Sequence, residues 1–160
     1  MVFDPSKTKT NLIRVSWDRL SRLPAGKLAF SRLVGRLAPY TGSIGAHVLE
    51  LSAGYARVEL RDRKAVRNHL RSVHAIALAN LAEVCSGLAL MYSVDDHTRG
   101  ILKGLSIEYL KKARGTLHAV ARFDPPAAGS AGDFEVEALL SNADGTVVAR
   151  ARAHWLLGPK

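Results

Sequence analysis

The stretch HAIALANLAEVCSGLALMY, residues 74–92, decides how this chain must fold. Ile76, Leu78, Leu81, Val84, Leu88 and Met91 recur at helical spacing, and Ala75, Ala77, Ala79, Ala82, Gly87 and Ala89 fill the places between them. A helix that is apolar nearly all round has to be covered on most of its sides. Its small residues let a sheet come close. Asn80 and Glu83 interrupt the run, which argues against a membrane span.

On either side of this helix the pattern changes to a period of two, the mark of half-buried strands. Before it, Ile44, Ala46 and Val48 alternate with Gly45, His47 and Leu49. After a turn at Gly54, Ala56, Val58 and Leu60 alternate with Arg57, Glu59 and Arg61. That predicts a hairpin with one wet face. After the helix, strands are expected at Leu105–Leu110, Leu117–Phe123 and Phe134–Leu140. The connection 124–133 holds Pro125, Pro126, Gly129 and Gly132. Asp144-Gly145 supplies a hairpin turn into a last strand, about 146–157, with Arg150, Arg152 and His154 on one face. Two helices open the chain. Leu12, Val15, Leu20 and Leu23 mark the first. Pro24 opens the second, Ala29, Phe30, Leu33, Val34 and Leu37 form its apolar face, and Pro39 ends it. One α+β architecture satisfies every segment: an antiparallel sheet wrapped around one long central helix. The helix covers one face of the sheet, and the N-terminal helices or a second subunit are expected to cover the other.

Bulk properties narrow the function classes. The chain has 160 residues with no internal repeat or linker, which predicts a single domain. Its one cysteine, Cys85, lies in the apolar helix and reads as a buried, inert thiol; the histidines show no metal-ligand spacing. The first residues lack the apolar core of a secretory signal, so a cytoplasmic protein is expected. A net charge of +9 calls for an anionic partner. No nucleic-acid motif accompanies it, and nucleic acid and membrane are both set aside as partners. Neither a nucleophile elbow nor a phosphate-binding glycine loop is present.

The residues ahead of the helix are more specific. Asn68 stands six residues before His74, and Leu81-Ala82-Glu83 follows inside the helix. This resembles the signature of the phenylacetate-pathway type of acyl-CoA thioesterase, within the hotdog-fold superfamily that also holds the 4-hydroxybenzoyl-CoA thioesterases. Leu105–Leu110 and Ala113-Arg114-Gly115 resemble the strand and turn that follow the helix there. The N-terminal helices, about 10–38, and Arg67-Asn68 look like an uncharacterised branch. The resemblance implies one hotdog domain over residues 1–160 and a homodimer or dimer of dimers with sites shared between subunits. The substrate it implies is a thioester of coenzyme A or an acyl carrier. Coenzyme A would enter as part of that substrate, with no metal or redox cofactor.

One departure stands out. The family has His-Gly-Gly, and here Ala75 and Ile76 replace the glycines. In the family the first glycine N–H polarises the thioester carbonyl. Alanine offers the same N–H, whereas a β-branched Ile76 narrows the approach.

Thioester hydrolysis needs a polarised carbonyl, an activated water and a held acyl chain. Unpaired N–H groups at a helix N-terminus suit the first task, here those of Ala75 and Ile76. Glu83 is the candidate general base, or a nucleophile that forms an anhydride; a structural pairing with an arginine of another subunit is the plainer alternative. Asn68 orients water or organises the loop, and His74 caps the helix or bonds the loop. Arg99, Lys103, Lys111, Lys112 and Arg114 are candidate contacts for coenzyme A phosphates, or else a charged edge that blunts strand pairing. Two further readings stay open: a non-catalytic acyl-CoA-binding or structural hotdog protein, and a hotdog dehydratase, whose usual His and acidic partner are not found.

Overall fold

The computed structural model describes residues 10–160. Three helices, Leu12–Leu20 (α1), Gly26–Leu37 (α2) and Pro39–Ser43 (α3), lead into strands His47–Ser52 (β1) and Tyr55–Leu60 (β2). A 3-10 turn at Lys64–Val66 precedes the long helix Ala75–Ser93 (α4). Strands Thr98–Tyr109 (β3), Leu117–Arg122 (β4), Gly132–Asn142 (β5) and Val147–Pro159 (β6) complete the fold. The strands form one antiparallel sheet in the order β1-β2-β4-β5-β6-β3, and α4 packs against all six. This is the α+β hotdog arrangement expected from residues 74–92.

Side-chain size explains how the sheet closes around α4. The faces of the strands turned to the helix carry many alanines, among them Ala56, Ala119, Ala121, Ala138, Ala151 and Ala153, all buried. Short side chains on both surfaces bring the two backbones together, and Leu60, Leu81, Leu90, Leu117 and Leu140 fill the remaining space. Each such leucine removes enough apolar surface from water to contribute roughly 1.5–3 kcal/mol. Gly87 marks a close approach, where an added Cβ would lie 3.0 Å from the ring of Trp155 on β6. By length and composition α4 is apolar enough to cross a membrane, but most of it is buried inside this chain.

Several expectations need correction. β1 begins at His47 rather than near Ile44, because Pro39 both ends α2 and starts α3 at a position where proline is favoured. Ile44 is the C-cap of α3 and is buried. β3 begins at Thr98, not Leu105, and a bulge between Leu102 and Gly104 breaks its alternation; that bulge hides the period-two signal. The N-terminal helices do not cover the outer sheet face, which is largely polar on β5 and β6. Glu135, Glu137, Arg150, Arg152 and His154 alternate outward on β5 and β6 and face one another at 3.1–3.8 Å. Such exposed pairs keep the face soluble and add little stability.

The N-terminal helices pack elsewhere. Asn11 caps α1 by accepting from the Arg14 N–H, while its Nδ2 donates to the carbonyls of Met91 and Val94 at the C-terminus of α4. α2 lies along β1. The Ser31 hydroxyl accepts from the Val48 N–H at 2.9 Å, and the Lys27 ammonium donates to the Leu49 carbonyl at 2.6 Å. The outer edge of β1 is thereby partnered, whereas β3, the other edge of the sheet, has a strand partner only in β6 among the described residues.

Gly87→Leu should lower stability by about 1–3 kcal/mol through overpacking against Trp155, read as a shift in the denaturant midpoint at constant slope. An unchanged midpoint would show that sheet and helix are not in close contact there.

Candidate functional site

The loop that enters α4 is built by Asn68. Its Oδ1 accepts from the N–H groups of Leu70 and Ser72, at 3.0 and 3.2 Å, and its own N–H donates to the Ser72 carbonyl at 2.8 Å. Arg71 takes a left-handed φ of 55° to close the turn. The carbonyl end of the Asn68 side chain is therefore engaged in organising the loop. His74 is the N-cap: its Nδ1 accepts from the Ile76 N–H at 3.1 Å. That bond takes the second of the two backbone donors named as candidates. The Ala75 N–H has no partner among the described residues, and the Ile76 side chain points outward, 53% exposed. The Tyr109 hydroxyl donates to the Ala75 carbonyl at 3.0 Å, so the end of β3 steadies this turn.

These groups meet in one depression of about 440 Å³, lined by Asn68, Ser72, Ala75, Tyr109, Lys111 and Lys112 among others. Ser72 is buried there, and its hydroxyl has no hydrogen-bond partner. Burying an unpaired hydroxyl costs roughly 1–3 kcal/mol. Ser72 is not among the site residues named from the sequence. Nothing in the pattern shows that its hydroxyl is turned inward, because that depends on the left-handed Arg71.

Glu83 lies elsewhere. It is eight positions beyond Ala75, about 12 Å along the helix axis at 1.5 Å per residue. It is half-buried, and burial pushes its carboxyl above the ordinary carboxylate range, while a hydrogen bond with the Thr41 hydroxyl of α3 pulls it partly back. Thr41 also lines a larger cavity of about 600 Å³ between α2, α3 and β1, whose walls include Val34, Val48, Val58 and Val84. Asn80, one turn before Glu83, is buried; its Nδ2 donates to the Tyr40 carbonyl at 3.1 Å and its Oδ1 is unpaired. Thr41 was not singled out in the sequence, where the segment after Pro39 read as the approach to a strand.

The five basic candidates do not form one cluster within the chain. Lys111 and Lys112 line the depression with Asn68 and Ala75, and Arg114 reaches the Leu70 carbonyl nearby at 3.5 Å. Lys103 is paired with Asp133 at 2.7 Å, and Arg99 lies near the far end of β3, beside Met91 and Val94. Cys85 is fully buried, its thiol pushed up to about 12, which fits an inert core residue.

Comparison with known proteins accords with this fold. Residues 26–157 match the family described as a domain of unknown function, DUF4442. None of the curated proteins matches the chain. A solved structure titled only as genomics APC5556 is 34% identical, with 93% of this chain and 99% of that one covered and a TM-score of 0.79. A Pseudomonas aeruginosa protein, PA5026, described as of unknown function and a probable thioesterase, is 25% identical over 86% of this chain and 97% of its own, with a TM-score of 0.73. A thioesterase family protein from Silicibacter pomeroyi shares the fold at a TM-score of 0.70 and 15% identity, over 81% of this chain and 96% of its own. The chain belongs to the DUF4442 family, a hotdog-type, thioesterase-like family.

Proposed function

We propose that this protein hydrolyses an acyl-CoA thioester at a site completed by two copies of the chain. The observation that carries this reading is the separation of the two halves of the chemistry. The free Ala75 N–H at the α4 N-terminus suits a developing oxyanion, and the desolvated Glu83 suits a general base, yet about 12 Å of helix divides them. One thioester cannot touch both in a single chain. Two α4 helices side by side and antiparallel bring the N-terminus of each to the middle of the other.

The sheet supports that arrangement. An open edge such as β3 is a template for pairing with another strand, and the covered edge of β1 is not. Antiparallel pairing of two β3 strands sets the Thr98 end of one against the Tyr109 end of the other. Arg99 of a second copy would then approach Lys111 and Lys112 of the first, which gathers positive charge for coenzyme A phosphates. In this scheme Ala75 N–H binds the thioester oxygen and Glu83 takes a proton from the attacking water. The thiolate of coenzyme A leaves and is protonated by that same carboxyl. Asn68 and His74 act by shaping the turn that holds Ala75.

The direct test is free-thiol release from short, long and aromatic acyl-CoAs. Glu83→Ala should lose at least ~10²-fold, the scale of a general base. The acidic limb of kcat/KM should lie above the ordinary carboxylate range, because activity requires ionised Glu83 and disappears as pH falls through its raised pKa. Intact acyl-CoA bound without turnover would instead support a carrier or sensor.

Sharing of the site has its own test. Ala75→Pro deletes only the N–H, since proline is tolerated at the first position of a helix, and the extended backbone of His74 (ψ 141°) suits a residue before proline. Each variant alone should be inactive. Mixed after dissociation and reassociation, Ala75→Pro and Glu83→Ala chains should recover about a quarter of wild-type activity, because half the dimers then hold one intact site. No recovery in verified mixed dimers would show that both groups serve the same chain.

A further inference from the structure

The cavity of about 600 Å³ between α2, α3 and β1 has a fixed wall, an apolar floor and a basic rim. The wall is α3. Gly42 lies so close to Gly35 of α2 that an added Cβ would be 2.6 Å from the Gly35 carbonyl oxygen. Asn80 of α4 donates to the Tyr40 carbonyl, and Arg63 donates to the Ser43 carbonyl at 3.1 Å, so the short helix is anchored on either side of its middle. The floor is made of Val34, Val48, Val58 and Val84, all buried, and β-branched side chains have few rotamers with which to fill the space. At the rim, Arg32 and Arg36 stand one turn apart on α2. Both are exposed, and neither makes an ion pair among the described residues. A third guanidinium, that of Arg63, lies beside Gly45, where it would be 3.0 Å from an added Cβ. No aspartate or glutamate lines the cavity.

We infer that this cavity binds a free aliphatic carboxylic acid, with the carboxylate held by Arg32 and Arg36 and the chain laid against the four valines. Small-molecule pockets of this size are mostly apolar, with a few polar groups that fix the orientation of the ligand. Guanidinium groups suit a carboxylate because their N–H donors can meet both of its oxygens. Every methylene that the floor takes out of water adds to affinity. A bare phosphate would use the arginines and leave the floor empty, and a neutral lipid would use the floor and leave the arginines unpaired. An aliphatic acid uses both. Binding is by ion pairing and burial alone, and no bond is made or broken. The inference does not rest on the thioesterase reading, which adds only a source: hydrolysis of an acyl thioester yields an acid of this class together with a thiol. The N-terminal helices thereby gain a role beyond covering an edge.

The test titrates the full chain with octanoate, below the concentration at which it forms micelles, by calorimetry and by methyl NMR. Octanoate should bind saturably to a single site and shift the methyl signals of Val34, Val48, Val58 and Val84. Octan-1-ol has the same chain without the charge and should bind at least ~10-fold more weakly. Acetate has the charge with almost no chain and should bind at least ~100-fold more weakly. The double variant Arg32→Gln, Arg36→Gln changes only exposed positions. It should lower octanoate affinity by about ten- to a hundred-fold, the scale of hydrogen bonds to a charged group, and leave octan-1-ol unchanged. Ala46→Leu narrows the cavity and should weaken both ligands; circular dichroism and the denaturant midpoint check its fold, and the arginine variant decides if it does not fold. Absence of saturable octanoate binding, equal affinity for octan-1-ol, unchanged binding in the arginine variant, or shifts confined to residues outside this cavity would each overturn the inference. Octanoate binding by a protein that hydrolyses no acyl-CoA would leave the inference standing and remove the thioesterase reading. Hydrolysis by a protein that binds no octanoate would do the reverse.

Discussion

The structure depends on covering α4. A nineteen-residue helix with so little polar surface has no stable exposed form, and one flat sheet can cover only one side of it. The sheet therefore curls, and the alanines on its inner face set how tightly it does so. What the sheet cannot reach is closed by α1 at the C-terminal end of the helix and by α3 over Asn80 and Glu83. The N-terminal segment is thus a continuation of the same covering task, not an appendage.

The same constraint creates the chemistry. A carboxylate on a helix buried this thoroughly loses hydration, which favours its protonated form and raises its proton affinity toward the range useful for a base. The N-terminus of the helix has to emerge somewhere, and it emerges with an unpaired N–H at Ala75. Alanine keeps the N–H, and the bulky side chain of Ile76 points away from the packed interior of its own chain.

Legibility in the sequence followed periodicity. Residues 74–92 and the strands of β2, β4, β5 and β6 alternate cleanly, so helix and sheet were readable from residue type alone. β3 was truncated because the bulge at Leu102–Gly104 shifts its phase, and α3 was missed because five residues are too few to show a helical period. Asn68, Ala75, Lys111 and Lys112 were named from sequence and line one depression, beside which His74 caps the helix. Thr41 and Ser72 were not recognised. Their placement comes from tertiary facts: one hydroxyl-bearing residue on the wall of the cavity between α2, α3 and β1, and one hydroxyl turned inward without a partner among the described residues.

The two edges of the sheet carry the final step of the argument. An exposed strand edge invites association, and proteins that remain single chains blunt both. Here one edge is covered by a helix and the other is not. Ser31 and Lys27 reach from α2 to bond the Val48 N–H and the Leu49 carbonyl on the outer side of β1, while among the described residues the twelve of β3 have a partner strand on one side only. The difference selects which face a second copy would meet, and β3 is also the strand whose Tyr109 steadies the N-terminus of α4. Assembly through β3 would therefore act on the turn that presents Ala75. On the proposed reading, the open edge of β3 and the free N–H of Ala75 are parts of one arrangement.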